Sequence, residues 1–315
     1  MPKLVSTSIE CQISGSNQAY IVSEKDRHGK PLRNVISQES GLIFVDPVPF
    51  ENTEEFYKTE YRKSYKGVHR PKPKHVYRAG KIALERHKRI RSLIGEKAVT
   101  LDAGSSSGEF VYLMQKRGHS AEGIEANLPY AEYSRSELQI NVSIQPFSEF
   151  TIEEKFDLIT MFHVLEHLEH PVRDLMSLSK TLKSEGHFVI EVPNILYPHM
   201  AFPHKWHSGH LFSYTAETLS HLMKQTGFDT IKCSPIGDGG NLWGVFRKSE
   251  KENTVRLDAK REEAMDVVSQ LRSSGRLYYL NIRNYLKFFA KLRRQLIEKK
   301  SSKGKSGREI LDKLY

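Results

Sequence analysis

The sequence predicts an α/β protein built on a mostly parallel sheet, and two stretches carry that prediction. The first, Ala98 to Ala126, reads AVTLDAGSSSGEFVYLMQKRGHSAEGIEA, a strand, a tight turn, a helix and a second strand. The second runs from Phe156 to Val192 and repeats the alternation of strand, helix and strand. Short apolar runs without polar alternation are strands buried on both faces, as strands of a parallel sheet must be.

In the first stretch the strand Ala98 to Leu101 leads into Asp102-Ala103-Gly104. The Ser/Gly turn from Ser105 to Gly108 then opens a helix with Phe110, Leu113 and Met114 as its apolar positions. Gly118 stands where a left-handed residue ends a helix, the second strand covers Ala121 to Ile124, and Glu125 follows at its carboxyl end. Such a unit sets backbone N–H groups and a helix N-terminus against a nucleotide-like ligand, with an acid about 20 residues on for ribose hydroxyls. Ser106 occupies the place where such turns usually have their middle glycine. In the second stretch the strand Phe156 to Phe162 runs into His163-Val164-Leu165-Glu166-His167. A helix from Pro171 to Lys183 and a strand from His187 to Val192 follow, ending in Pro193-Asn194.

Together these motifs resemble the class I S-adenosylmethionine (SAM)-dependent methyltransferases over roughly Ala98 to Lys248. LDAGSSSGEF is similar to their first motif, GIEAN to the ribose-binding acid, and FDLITMFHVLEHL to the fourth strand with its following segment. The resemblance implies a Rossmann-like seven-stranded sheet. It also implies that SAM is held by Asp102, Gly104, Ser105, Ser106, Gly108 and Glu125, with Phe147, Phe162 and His163 completing its pocket. Asp102 would organise the turn and reach the methionine amino group, Glu125 would take both ribose hydroxyls, and Phe147 would stack on adenine.

A chain of 315 residues holds one large domain or two modest ones. Three segments are expected: an N-terminal appendage over 1–75, the methyltransferase domain over 76–249 and a basic helical tail over 250–315. No apolar run nears the roughly 20 residues of a membrane span, and no signal sequence opens the chain, so a cytoplasmic protein is expected. Two cysteines exclude a disulfide framework. Of the formal net charge of +10, residues 271–315 supply the whole, with 13 Lys/Arg against 3 Asp/Glu; the remainder carries 35 of each. The catalytic body therefore offers no general nucleic-acid surface.

In the appendage, Gly41 to Pro47 reads as a strand entering a loop, and Asn52 with Glu55 caps a helix bearing Phe56, Tyr57 and Tyr61. Some sugar and polysaccharide-cluster methyltransferases begin with a zinc knuckle of two Cys-x-x-Cys pairs. The aligned positions here are Cys11, Ser14, Ser37 and Ser40, so the resemblance implies the knuckle's shape without its metal. Tyr61 and Tyr65 would stand at the cleft mouth if the appendage folds over it. A basic helix from Val76 to Ile94 precedes the first core strand, with Lys81, Arg86, Lys88, Arg89 and Arg91 read as a solvated face.

Two groups of histidines carry the candidate chemistry. His163, Glu166, His167 and His170 fall at helical spacing, which a metal could use, but the resembling family packs this segment under the methyl donor. No metal is therefore expected, and His163 is expected as a pocket residue. The second group follows the fifth core strand, in Phe202 to Tyr214, at the carboxyl edge where open α/β sheets bind substrates. Sugar C-methyltransferases have a Glu-His pair at a similar point; here the pair is Gly209-His210, which leaves His210 as a general base for hydroxyl methylation, with His207 second and His163 as a further catalytic candidate.

Thr215 caps a helix from Ala216 to Thr226, and strands Phe228 to Cys233 and Asn241 to Arg247 close the sheet. In the tail one helix, Asp258 to Leu271, is expected to stop at Ser273-Ser274-Gly275. A second carries the apolar stripe Tyr278, Ile282, Tyr285, Phe289, Leu292 and Leu296 beside basic residues. That stripe suits a peripheral contact with an anionic inner-membrane surface, a homodimer, or packing back on the chain's own core. The expected activity is O-methylation of a sugar or glycan intermediate. A quinone- or polyketide-type small-molecule methyltransferase and a non-catalytic SAM-binding scaffold are the alternatives.

Overall fold

The computed structural model describes residues 2–49, 70–249, 261–277 and 282–315. The helix expected to bear Phe56, Tyr57 and Tyr61 lies outside the described residues, as does Tyr65. In chain order the strands are β1 (Leu4–Ser6), β2 (Gln18–Lys25), β3 (Pro31–Ser37), β4 (Ile43–Val45), β5 (Val99–Ala103), β6 (Ser120–Ile124), β7 (Val142–Ser143), β8 (Phe156–Phe162), β9 (Leu182–Pro193), β10 (Phe212–Ser213), β11 (Phe228–Ile236) and β12 (Asn241–Lys248). The α-helices are α1 (Pro73–Ile90), α2 (Glu109–Lys116), α3 (Leu128–Tyr133), α4 (Pro171–Thr181), α5 (Ala216–Gln225), α6 (Arg261–Leu277), α7 (Ile282–Ser302) and α8 (Gly307–Leu314).

The large sheet has the strand order β11-β12-β9-β8-β5-β6-β7. Strands β8, β5, β6 and β7 run parallel, with Leu101 beside Ile159 and Thr100 beside Ala121, while β11 and β12 form an antiparallel hairpin at the far edge. The order reverses between β5 and β8, the switch point outside whose carboxyl ends open α/β sheets bind ligands. The chain divides into two compact units, Met1–Glu51 with His163–Ser179 and Val189–Tyr285, and Asn52–Phe162 with Lys180–Phe188 and Leu286–Tyr315.

In the first unit β1 to β4 form an antiparallel meander, which β10 extends by pairing Phe212 with Phe44. Its apolar face, with Tyr20, Val22, Ile36 and Ile43, packs with Trp206 and with Ala264, Val268 and Leu271 of α6. This packing belongs to a helix longer than expected. α6 continues through Ser273, Ser274 and Gly275 to Leu277, since anchored helices override the weak propensity of such residues. Cys11 Sγ stands 3.1 Å from Ser40 Oγ, and Ser14 Oγ stands 3.4 Å from Ser37 Oγ, so the four aligned positions meet in two pairs.

In the second unit the C-terminal helix α8 rests on α1 and α2. Leu311, Leu314 and the Tyr315 hydroxyl crowd Gly80 of α1, Tyr112 donates a hydrogen bond to Asp312 at 2.6 Å, and Tyr315 donates to the Glu109 carbonyl at 2.9 Å. Of the expected apolar stripe, Leu292 and Leu296 of α7 are exposed, at 43% and 69%, and Tyr278 lies outside the described residues. Glu298 of α7 is buried in a two-bond ion pair with Arg78 of α1, at 2.7 and 2.6 Å. No described helix is long and apolar enough to cross a membrane.

Candidate active site

The turn after β5 begins with Gly104 at φ +84°. The N–H groups of Gly104 and Ser105 both donate to the Ile124 carbonyl at 2.8 Å, which ties the turn to the end of β6. Ser106 adopts φ +53°, the left-handed region that costs a side-chain-bearing residue on the order of 1 kcal/mol and that glycine occupies freely. The serine noted in the sequence therefore sits where a glycine would be unstrained. Its N–H donates to Glu125 Oε2 at 2.7 Å, and Asn127 N–H donates to Oε1 at 2.9 Å, so the acid after β6 holds both loops.

Gly108, at φ +82°, is the N-cap of α2. A Cβ there would run into Ile140 and stand 3.0 Å from Ser134 Oγ. Gly108→Ala is expected to destabilise the fold by about 2–4 kcal/mol, from left-handed strain and overpacking together, and urea denaturation would measure it. A loss under about 0.5 kcal/mol would show that the turn relaxes around a side chain.

Asp102 is buried at the end of β5, and Thr160 of β8 donates to its Oδ1 at 2.7 Å. Burial raises its pKa to about 6, against the Thr160 hydrogen bond and the positive charge of Arg86. Arg86 does more than its place in a basic helix suggests: its guanidinium lies 4.1 Å over the Phe162 ring, and Phe110 meets that ring edge-on at 5.1 Å. The reading of Arg86 as part of a solvated face is corrected; it is half-buried and acts on Asp102. Ser105 Oγ is buried and makes no hydrogen bond among the described residues. Phe147 lies half-buried in a short 3-10 turn, Phe147–Glu149.

In the first unit His163 follows directly on β8 with φ +57°. Its own N–H donates to the Glu191 carbonyl at 2.7 Å, and its ring lies between two carboxylates, Nδ1 3.3 Å from Glu166 Oε1 and Nε2 3.5 Å from Glu191 Oε1. Glu191, on β9, is held by Asn241 Nδ2 at 2.7 Å. Burial pulls the imidazole's pKa down, but the two carboxylates outweigh it and raise it to about 9. Burial pushes Glu166 up, yet His163 and the neighbouring imidazoles hold it at about 2. This segment is not the helix its spacing suggested. Leu165–His167 is a single 3-10 turn, and the left-handed His163 breaks the regular spacing.

The loop after β9 is folded onto that turn. Leu211 N–H donates to the Glu166 carbonyl at 2.8 Å, and His167 Nδ1 meets the Gly209 carbonyl at 2.5 Å. His210 stacks on His207 at 4.5 Å and meets His167 edge-on at 5.0 Å. Burial drives the pKa of His207 to about 4 and that of His210 to about 3. Both are thus neutral and weakly basic, which runs against the expectation that either takes a proton from a hydroxyl. His163 is the exposed member of the group, its side chain 37% accessible.

A glycine turn after the first strand of a switch point, an acid at the next strand and a histidine after the fourth define an α/β methyltransferase domain of class I. The family model described as a methyltransferase domain (Methyltransf_23) matches residues 75–232, just over half of the chain, and the chain belongs to that family. No curated protein matches the sequence. Among solved structures, the 1,6-didemethyltoxoflavin-N1-methyltransferase of Burkholderia thailandensis is 17% identical, with 67% of this chain and 97% of that chain covered at a TM-score of 0.47. A SAM-dependent methyltransferase of Archaeoglobus fulgidus is 17% identical, covering 60% and 98% with a TM-score of 0.46. The magnesium protoporphyrin IX methyltransferase of Synechocystis is 10% identical, covering 62% and 98% with a TM-score of 0.46. The cofactor of this methyltransferase is S-adenosylmethionine. The residues present fit it: a buried carboxyl with a raised pKa is suited to an incoming ammonium, and the carboxylate oxygens of Glu125 can each accept more than one hydrogen bond.

Proposed function

We propose that the protein transfers the methyl group of SAM to a hydroxyl of a sugar or glycan intermediate, with His163 as the acid–base group. One observation carries this reading: a single accessible imidazole held between two buried carboxylates, Glu166 and Glu191. Methyl transfer to an alcohol needs an in-line approach and the removal of one proton, and SAM itself supplies the leaving group. Asp102 and Glu125 bind and orient the cofactor, and Glu191 with Asn241 aims the His163 ring; His163, with a pKa of about 9, is protonated at neutral pH and takes the hydroxyl proton in its deprotonated form, so methylation should quicken as pH rises towards 9. The sugar-type acceptor rests on the resemblance of Cys11, Ser14, Ser37 and Ser40 to the knuckle positions of sugar methyltransferases, and the contacts of Cys11 with Ser40 and of Ser14 with Ser37 are in keeping with that resemblance.

The test is incubation with methyl-labelled SAM and separate pools of sugar nucleotides, lipid-linked glycans, quinone-type phenols and nucleic acid. Label is expected in a sugar or glycan pool, reduced about 10²- to 10⁴-fold by His163→Ala while affinity for S-adenosylhomocysteine stays within a few-fold. Label in the phenol pool, or full activity in the variant, would overturn the acceptor or the base respectively.

A further inference from the structure

We propose that Glu166, His167 and His210 form a binding site for a divalent transition-metal ion of the zinc class. One ligand atom from each, a carboxylate oxygen and two imidazole nitrogens, lies within 4.8 Å of the others. The three come from two segments, the 3-10 turn after β8 and the loop before β10, locked together by the Leu211 to Glu166 backbone hydrogen bond at 2.8 Å.

Glu166 supplies the independent reason for an ion. Its side chain is 2% exposed, and neither carboxylate oxygen makes a hydrogen bond among the described residues; His163 approaches Oε1 as an ionic contact at 3.3 Å. A buried carboxylate is costly unless cations and hydrogen bonds compensate it; His163 compensates the charge at Oε1, and Oε2 is left without a hydrogen-bond donor among the described residues. His167 is oriented as metal-binding histidines are. Its Nδ1 meets the Gly209 carbonyl at 2.5 Å, a bond that needs the proton on Nδ1, which leaves Nε2, 3.9 Å from Glu166 Oε1, as the ring atom that can ligate a metal once it is deprotonated.

Tetrahedral bonds of about 2.1 Å set ligand pairs about 3.4 Å apart, so the observed separations close by small side-chain rotations. Two imidazoles and one carboxylate suit zinc, cobalt or ferrous ions and not calcium or magnesium, which prefer oxygen donors. Three protein ligands leave one position open. Tyr214, whose hydroxyl is buried and makes no hydrogen bond among the described residues, is flanked by Glu166 and adds a donor for a water held there. Use of the open position by an acceptor hydroxyl rests on the reading under Proposed function; occupancy by a metal does not.

The full chain, stripped with a chelator, is titrated with cobalt(II) alone and read by its visible d–d bands, then challenged with zinc. One saturable equivalent displaced by zinc is expected. Affinity should fall about 10- to 100-fold in Glu166→Gln and in His210→Ala, but not in His199→Ala. No saturable band in the wild type, or a band unchanged in the two ligand variants, would overturn the site. The wild-type titration decides even if a variant fails to fold. No methyl donor or acceptor is present, so an incorrect acceptor assignment leaves the result untouched.

Discussion

Asp102→Asn is expected to yield a protein that is more stable above pH 6 and that has lost at least about 100-fold in cofactor affinity. The folded-state pKa of Asp102 is about 6 and its ordinary value is 3.8, so folding favours the protonated carboxyl. Between those values the native state binds more protons than the unfolded chain, and stability therefore falls as pH rises through the window. Above it the ionised, buried group costs about 3 kcal/mol, from a shift of about two units at 1.36 kcal/mol each. Asparagine keeps an oxygen for the Thr160 hydroxyl, which donates to Oδ1 at 2.7 Å, and removes the charge. The gain should appear in denaturation at pH 8 and vanish at pH 4. Binding runs the other way, because an ammonium needs the carboxylate: wild-type affinity for S-adenosylhomocysteine should rise between pH 5 and pH 7, and the asparagine variant should show neither the affinity nor the rise. A variant that binds normally, or that is less stable at pH 8, would remove Asp102 from the cofactor site.

That conflict between stability and binding was partly legible in the sequence. Asp102, Gly104, Gly108 and Glu125 could be placed because a parallel strand entering a tight turn is a local pattern: an apolar run, an acid, then glycines. The structure adds what local pattern cannot carry. Arg86 reaches Phe162 and acts on Asp102 from a helix that precedes the sheet, a juxtaposition set by tertiary packing alone. The spacing of His163, Glu166 and His167 suggested a helix face, but His163 at φ +57° redirects the chain, and nothing in its neighbours marks a left-handed histidine. Its two carboxylate partners lie 3 and 28 positions further on, and only the second strand of a pair, β9, brings Glu191 beside it. The loop from Phe202 to Tyr214 was singled out for its histidines, whereas their burial depends on β10 pairing with β4, residues more than 160 positions apart. Two-residue strands have no periodicity to read.

The tail offered an apolar stripe and three uses for it, and the last helix shows how the end of this chain is spent. Leu311→Ala is expected to destabilise the second unit by about 3 kcal/mol, with a range of about 2–5 for a fully buried leucine. Leu311 has no accessible surface and fills the space above Gly80, where α1 has no side chain of its own. The same helix is stapled to α2 by Tyr112 and Lys116, which reach Asp312 at 2.6 and 2.7 Å, and by Tyr315 on the Glu109 carbonyl. Glu109 is the first residue of α2, directly after Gly108, so α8 braces the helix that the cofactor turn opens. Loss of Leu311 packing should therefore raise amide exchange in α8 and in the first turn of α2 together, and weaken S-adenosylhomocysteine binding several-fold without touching a cofactor ligand. Tyr315→Phe, which removes one hydrogen bond and no apolar surface, should cost about 1 kcal/mol and shift exchange at the same two places. Faster exchange confined to α8 would mean that the C-terminal helix rides on the domain without bracing the cofactor turn.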